Sequence, residues 1–238
     1  MPSAPKWLFN TVDLLLSKLP SVEVAGTELL SPSVKQIRFK GDFNNLNFPV
    51  GSYIDFRVSD TQARRYTASY VDAENGFLEF IVHLHGEAPG SHFMDSLKAG
   101  DKINMNKPRG ERKYYDMSAE KFVIFGDETS LGLACSFLPV LKRNQHQFQF
   151  YLELDEENKD VPQLLGLENC AIFPKNGLFR NEEWISDLPV IQVAGWHEAN
   201  FVLTGNAKSG QTFRKVLKSK TNGKINLHGY WLEGKKGL

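Results

Sequence analysis

The chain is poor in the residues that staple small folds or hold metals. It has two cysteines in 238 residues. Cys135 and Cys170 stand in apolar surroundings with no CxxC or Cys/His spacing. That excludes a disulfide framework and reads as two reduced core residues of a cytoplasmic protein. The six histidines are scattered, so no metal-ligand cluster is visible. Neither sign of charge is in excess. Lys plus Arg and Asp plus Glu number 28 each, which leaves no global field to draw in nucleic acid or an anionic membrane. Any basic site must be local. No apolar run approaches the ~20 residues of a membrane span. Residues 5–19 carry Leu8, Val12, Leu15, Leu16 and Leu19 at helical spacing, interrupted by Asp13 and Lys18 and ended by Pro20. An amphipathic surface helix is expected there, not a signal peptide. The nucleophile elbow GxSxG and the dinucleotide fingerprint GxGxxG are both missing, and no internal repeat occurs.

What is present reads as two domains. A length of 238 residues, 41% of them hydrophobic and 24% charged, is enough to bury one large or two small globular cores. The texture changes near residue 115. Before it, residues 34–39, 53–58, 77–85 and 102–105 alternate apolar and polar side chains between Gly, Pro, Asp or Asn, as strands of an antiparallel barrel do. After it, strand and helix alternate: strands at 121–125, 148–154, 190–195 and 224–229, helices at 129–143, 161–167 and 208–218. That pattern implies a parallel sheet with helices on its faces. The expected domains are therefore 1–115, an N-terminal antiparallel β-barrel, and 116–238, a C-terminal Rossmann-like parallel α/β domain.

The most informative stretch is Arg64-x-Tyr66-Thr67, inside residues 62–70. On a strand, alternation turns Arg64 and Tyr66 to one face and Thr67 to the other. A guanidinium forks onto a pyrophosphate, a tyrosine ring stacks on a planar ring system, and a hydroxyl bonds a ring nitrogen. These are the three group types a flavin dinucleotide needs. Downstream, His85-Gly86-Glu87-Ala88-Pro89-Gly90-Ser91 is a turn into a short helix at 92–97, with Ser91 as its expected cap. A helix start of that kind suits a pyrophosphate. Lys107-Pro108-Arg109-Gly110 places two cations at the barrel's last loop. Gly126-Asp127-Glu128-Thr129 joins the first strand and helix of the second domain. Its two carboxylates repel phosphate, and a purely structural turn, with Thr129 capping the helix, fits it equally well.

In this order the motifs resemble the siderophore-interacting proteins, which are flavin-dependent ferric-siderophore reductases of the ferredoxin-reductase-like superfamily. The resemblance runs from about Val22 to Gly237. It implies FAD held by Arg64, Tyr66, Thr67, Ala68, His83, His85, Gly86, Pro89, Gly90, Ser91 and Trp231, with Thr67 beside the redox-active edge. Gly126, Asp127, Glu128 and Thr129 match the family's GDET segment and are the candidate donor site, for NADH, NADPH or a ferredoxin. Gly229-Tyr230-Trp231 matches a typical C-terminal Gly-Tyr-Trp. Lys107, Arg109, Lys235 and Lys236 are the candidate grip on an anionic ferric siderophore. No resident metal is implied, and the protein is expected to act as a monomer. Departures stand at Ser69, at Leu232-Glu233 and at Ala194-Gly195-Trp196, so the donor and the siderophore stay open. So do two other readings, a general flavin-dependent reductase and a non-catalytic carrier of a ferric chelate.

Overall fold

The computed structural model describes residues 5, 7, 21–86, 88–110 and 114–235. The helix expected over 5–19 falls almost wholly outside them. The chain divides into two compact units, Met1–Glu111 and Arg112–Leu238.

The first unit is built on strands β1 (Ser21–Ser31), β2 (Val34–Lys40), β3 (Tyr53–Ser59), β4 (Gln62–Asp72), β5 (Phe77–His83) and β6 (Lys102–Asn104), with helix α1 (Pro89–Ser96) between the last two. They form one antiparallel sheet in the order β3-β4-β5-β2-β1-β6. The sheet curls over a core in which Phe39, Phe56 and Phe80 are fully buried, with the Phe56 and Phe80 rings edge to face at 5.2 Å. Each such ring contributes about 1.5–3 kcal/mol by leaving water. The expected barrel is completed by irregular chain. Beyond β6, Arg109 exchanges two backbone hydrogen bonds with Tyr53 of β3, at 2.7 and 2.9 Å. Strand β4 is the hinge of the curl. Its residues 62–67 pair with β3, residues 68–72 pair with β5, and a bulge lies between Ala68 and Tyr70. Arg64, Tyr66 and Thr67 thus end at the corner where the strand changes partner, a position at which bulges re-aim side chains.

The second unit holds a five-stranded parallel sheet, β11-β10-β7-β8-β9, made by β7 (Lys121–Gly126), β8 (Gln147–Leu154), β9 (Cys170–Pro174), β10 (Asn200–Leu203) and β11 (Ile225–Leu227). Its helices are α2 (Leu131–Arg143), α3 (Val161–Leu164), α4 (Glu182–Ser186), α5 (Pro189–Gln192) and α6 (Ala207–Lys220). The middle strand β7 is apolar from Phe122 to Phe125 because both faces are covered, and Phe125 lies 4.1 Å from Phe213 of α6.

One element differs in kind from expectation. Residues 190–195 are not a strand but the end of α5 and a 3-10 turn at Ala194–Trp196. Pro189 at the first helical position presets the helical φ, and Val190 and Ile191 bury side by side. An aperiodic apolar run of this length fits either state. The strand beside β7 is instead Asn200–Leu203, four buried residues with no polar alternation. Neither cysteine is in a disulfide, and burial pushes the Cys170 thiol up to about 12, which leaves it inert.

Candidate functional site

Register sorts the β4 side chains. Arg64 lies opposite Phe56 and Tyr66 opposite Ile54, while Arg65 and Thr67 lie opposite Asp55 and Tyr53. Directly paired residues share a face, so Arg64 and Tyr66 turn toward the core side and Thr67 turns away. The Tyr66 ring meets Phe56 edge on at 5.9 Å. Burial pushes its phenol well above the ordinary value, with Arg64 offsetting part of the shift. The Arg64 guanidinium donates to the Ala63 carbonyl at 2.9 Å and to the Gln62 Oε1 at 2.8 Å. These acceptors are neutral, so they orient the group without cancelling its charge.

Helix α1 starts against this pair. A Cβ on Gly90 would stand 2.7 Å from the Tyr66 hydroxyl and 2.9 Å from Cγ of Arg64, so only glycine admits the approach. The helix begins at Pro89 after an extended Ala88, with no side-chain cap and no acidic residue in its first turn. Ser91 is not the expected cap. It lies inside the first turn, where its hydroxyl donates to the His85 carbonyl at 3.2 Å and accepts from the His85 N–H at 3.0 Å, pinning the Gly86 turn to the helix. The rings of His83 and His85 lie 5.5 Å apart. An uncapped helix start, a close-approach glycine and a guanidinium together form a cradle for an anion, and a dinucleotide's diphosphate fits it.

On the Thr67 side the structure adds a residue that the motif leaves blank. Arg65 lies over the Tyr53 ring at 3.7 Å and bonds Asp55 at 3.2 Å. Arg109 also pairs with Asp55, so its charge is shared with that carboxylate instead of standing open. Ala68 is buried, and its N–H bonds the Ser52 carbonyl at 2.9 Å. Lys107 is exposed on the loop before Arg109. Of the other two candidate cations, Lys235 is exposed in the second unit and Lys236 lies outside the described residues.

The second unit has its own crevice. The chain runs β7, β8, β9 to one side and then returns to lay β10 and β11 on the other, so the carboxyl ends of β7 and β10 flank the switch point where open α/β sheets bind ligands. Gly126, Asp127, Glu153, Thr204, Asn206 and Ser209 line it. A Cβ on Gly126 would fall 2.3 Å from Ser130, which sets the tightness of the turn. Thr129 does not cap α2; Asp127 instead caps the 3-10 turn Glu128–Ser130 that leads into it, accepting from the Thr129 N–H at 2.9 Å and from the Trp231 indole at 2.7 Å. Glu128 is fully buried, paired with Lys175 at 2.6 Å and accepting from the Asp155 N–H at 2.7 Å and the Asn158 amide at 3.0 Å. The two acids that looked hostile to phosphate are therefore committed inward. Trp231 serves this turn, and its carbonyl also accepts from the Ala207 N–H at 2.9 Å. At the start of α6, the Nδ2 of Asn206 and the Oγ of Ser209 are buried with no hydrogen-bond partner among the described residues, and both residues line the crevice. Glu153 is pushed up to about 7, first by burial and then by Asp127, with Arg180 and Lys175 pulling the other way.

Residues 21–114 match the protein family described as the oxidoreductase FAD-binding domain. The matched residues are those of the first unit from its first strand onward. The match bears out the FAD expectation. The chain is 29% identical over 90 residues to an NADH-cytochrome b5 reductase 1 of Mycosarcoma maydis, across 36% of this chain and 28% of that protein. It thus spans less than a third of that relative's length. The whole fold is similar to phthalate dioxygenase reductase, with TM-score 0.74 and 15% identity over 92% of this chain and 70% of that one. It is also similar to the siderophore interacting protein from Acinetobacter baumannii, with TM-score 0.72 and 18% identity over 91% and 92% of the two chains. These two likenesses are of fold. They bear out the expected two-part fold, an antiparallel β unit followed by a parallel α/β unit.

Proposed function

We propose that the protein is a FAD-dependent oxidoreductase that takes a hydride from NADH or NADPH and passes single electrons to iron in a ferric siderophore, releasing Fe(II) in the cytoplasm. The observation that carries the reading is the cradle of Arg64, Tyr66 and Gly90 at the open start of α1. A bound flavin supplies the step between two-electron donor and one-electron acceptor. One hydride serves two ferric ions, leaving oxidised nicotinamide, two ferrous ions and one proton. Arg64 and the Gly90 and Ser91 N–H groups hold the diphosphate, Tyr66 packs on the flavin or its chain, and Thr67 offers its hydroxyl to the ring. Ala68, His83, His85, Gly86 and Pro89 shape the walls. The crevice at Gly126–Thr129, lined also by Asn206 and Ser209, receives the pyridine nucleotide, and Trp231 keeps its turn in place. Lys107 and Lys235 are exposed cations suited to an anionic chelate.

Support for the iron substrate comes from the Arg-x-Tyr-Thr, GDET and Gly-Tyr-Trp motifs and from the end-to-end fold likeness to a siderophore interacting protein. A second reading, a reductase that hands electrons to an acceptor protein, is favoured by the sequence match to an NADH-cytochrome b5 reductase. The deciding experiment is anaerobic. FAD-loaded protein is offered NADH, NADPH and reduced ferredoxin while flavin absorbance is followed, and ferric siderophores are then added with a ferrous chelator. Fe(II) trapped at a rate matching flavin reoxidation supports the first reading. Reoxidation by a protein acceptor alone supports the second, and no flavin reduction by any donor overturns both.

A further inference from the structure

Strand β2 carries a cation where its pattern calls for an apolar residue. Lys35, Ile37 and Phe39 share the core-facing parity, and Lys35 is 6% exposed. Its ammonium donates to three main-chain carbonyls, Met94 at 3.2 Å, Asp95 at 2.6 Å and Leu97 at 3.1 Å. The Asp95 carboxylate is 3.9 Å away and largely exposed. All three carbonyls close the end of α1, which has no basic residue in its own last turn. The final carbonyls of a helix lack partners within it, and a cation there opposes the negative end of its dipole. Lys35 does both jobs from another strand.

The helix it holds is short, and two turns do not persist alone in water. Its place is fixed by Ser91 on the His85 backbone at one end, Met94 in the core, and Lys35 at the other end. The first turn of the same helix presents Gly90 to Arg64 and Tyr66. An eight-residue helix is about 12 Å long, so Lys35 acts on the cradle through the helix and not by touching a ligand.

We propose that Lys35 is a positioning residue for FAD: by fastening the last turn of α1 it aims the first-turn N–H groups at the flavin diphosphate. The proposal rests on the reading that α1 and Arg64 hold that diphosphate. The test compares FAD with riboflavin, which has no phosphate, by titration of apoprotein while flavin fluorescence is followed. Wild type, K35M, K35R and R64A are measured side by side. K35M keeps the stem and removes the cation. It should bind FAD roughly threefold to tenfold more weakly with riboflavin affinity unchanged, and K35R should recover most of the loss. If K35M does not fold, K35Q and K35R carry the same comparison. Equal weakening of FAD and riboflavin, or no weakening of either, overturns the proposal. An R64A protein that binds FAD like wild type overturns the reading of the diphosphate site itself.

Discussion

Tyr66 and Gly90 are in contact so close that no side chain fits between them: a methyl group at position 90 would lie 2.7 Å from the phenol oxygen. The two residues come from a strand corner and a helix start 24 positions apart in sequence. Their contact is what brings the open N–H groups of α1 to the Arg64 side of the sheet. Gly90→Ala should therefore force the tyrosine or the helix to move, at about 1–3 kcal/mol of stability. FAD affinity should fall together with the urea midpoint, and a variant that keeps both leaves the contact without consequence.

Arg64 is oriented by neutral acceptors and keeps its charge for a ligand. Arg64→Ala should weaken FAD binding by about 1.5–3 kcal/mol, the worth of a charge-assisted contact. The loss should shrink as salt rises from 0.1 M toward 1 M, where the Debye length falls from about 10 Å to about 3 Å. Titrations at the two ionic strengths measure both effects.

Thr67 turns away from the face of Arg64 and Tyr66, toward Tyr53 and Arg65. Thr67→Val conserves shape and deletes the hydroxyl. Stopped-flow reduction of bound flavin should slow more than FAD affinity falls. Identical reduction rates would remove Thr67 from the chemistry.

The alternation of β2, β3 and β5 and the apolar β7 made the two sheet types readable from sequence, but β9 and β10 were not, because short, largely apolar strands carry no polar alternation and the apolar run at 190–195 fits either state. Arg64, Tyr66 and Gly90 were readable as types, since one anion needs a cation, close backbone and open N–H groups. Lys35 and Arg65 were not singled out. Their roles depend on what lies across the fold, a helix end for one and a ring and carboxylate for the other. Lys35 did leave a signal, a charge on the core parity of β2. The roles of Asp127 and Glu128 were hidden for the same reason: only the fold shows that Trp231 hydrogen-bonds the one and Lys175 pairs with the other.

Trp231 donates its indole N–H to Asp127, which is 3% exposed. Trp231→Phe keeps the apolar body and leaves one carboxylate oxygen without that donor. The expected loss is about 1–3 kcal/mol in chemical unfolding of the second unit. FAD affinity, which belongs to the first unit, should be unchanged. A parallel fall in FAD affinity would instead put Trp231 among the flavin contacts, as the sequence resemblance implies.

Glu153 gives the crevice of the second unit a pH dependence whose sign can be worked out. Its ordinary value is 4.5, and burial followed by the Asp127 carboxylate raises it to about 7 in the folded chain. Between those values the native state keeps a proton that the unfolded state has released. Unfolding then releases protons, so stability falls as pH rises through that window and levels off above it. Glu153→Gln holds the neutral form at every pH, and should flatten the decline in melting temperature between pH 5 and 7. The same ionisation adds a negative charge beside Asp127 in the crevice proposed for the pyridine nucleotide. KM for NADH should rise above pH 7 in the wild type and rise less in the Gln variant, while kcat for flavin reduction changes little. A stability profile that flattens while both proteins share one KM profile would keep the buried acid and move the nucleotide elsewhere. Two unchanged profiles would show that Glu153 titrates like any exposed carboxylate.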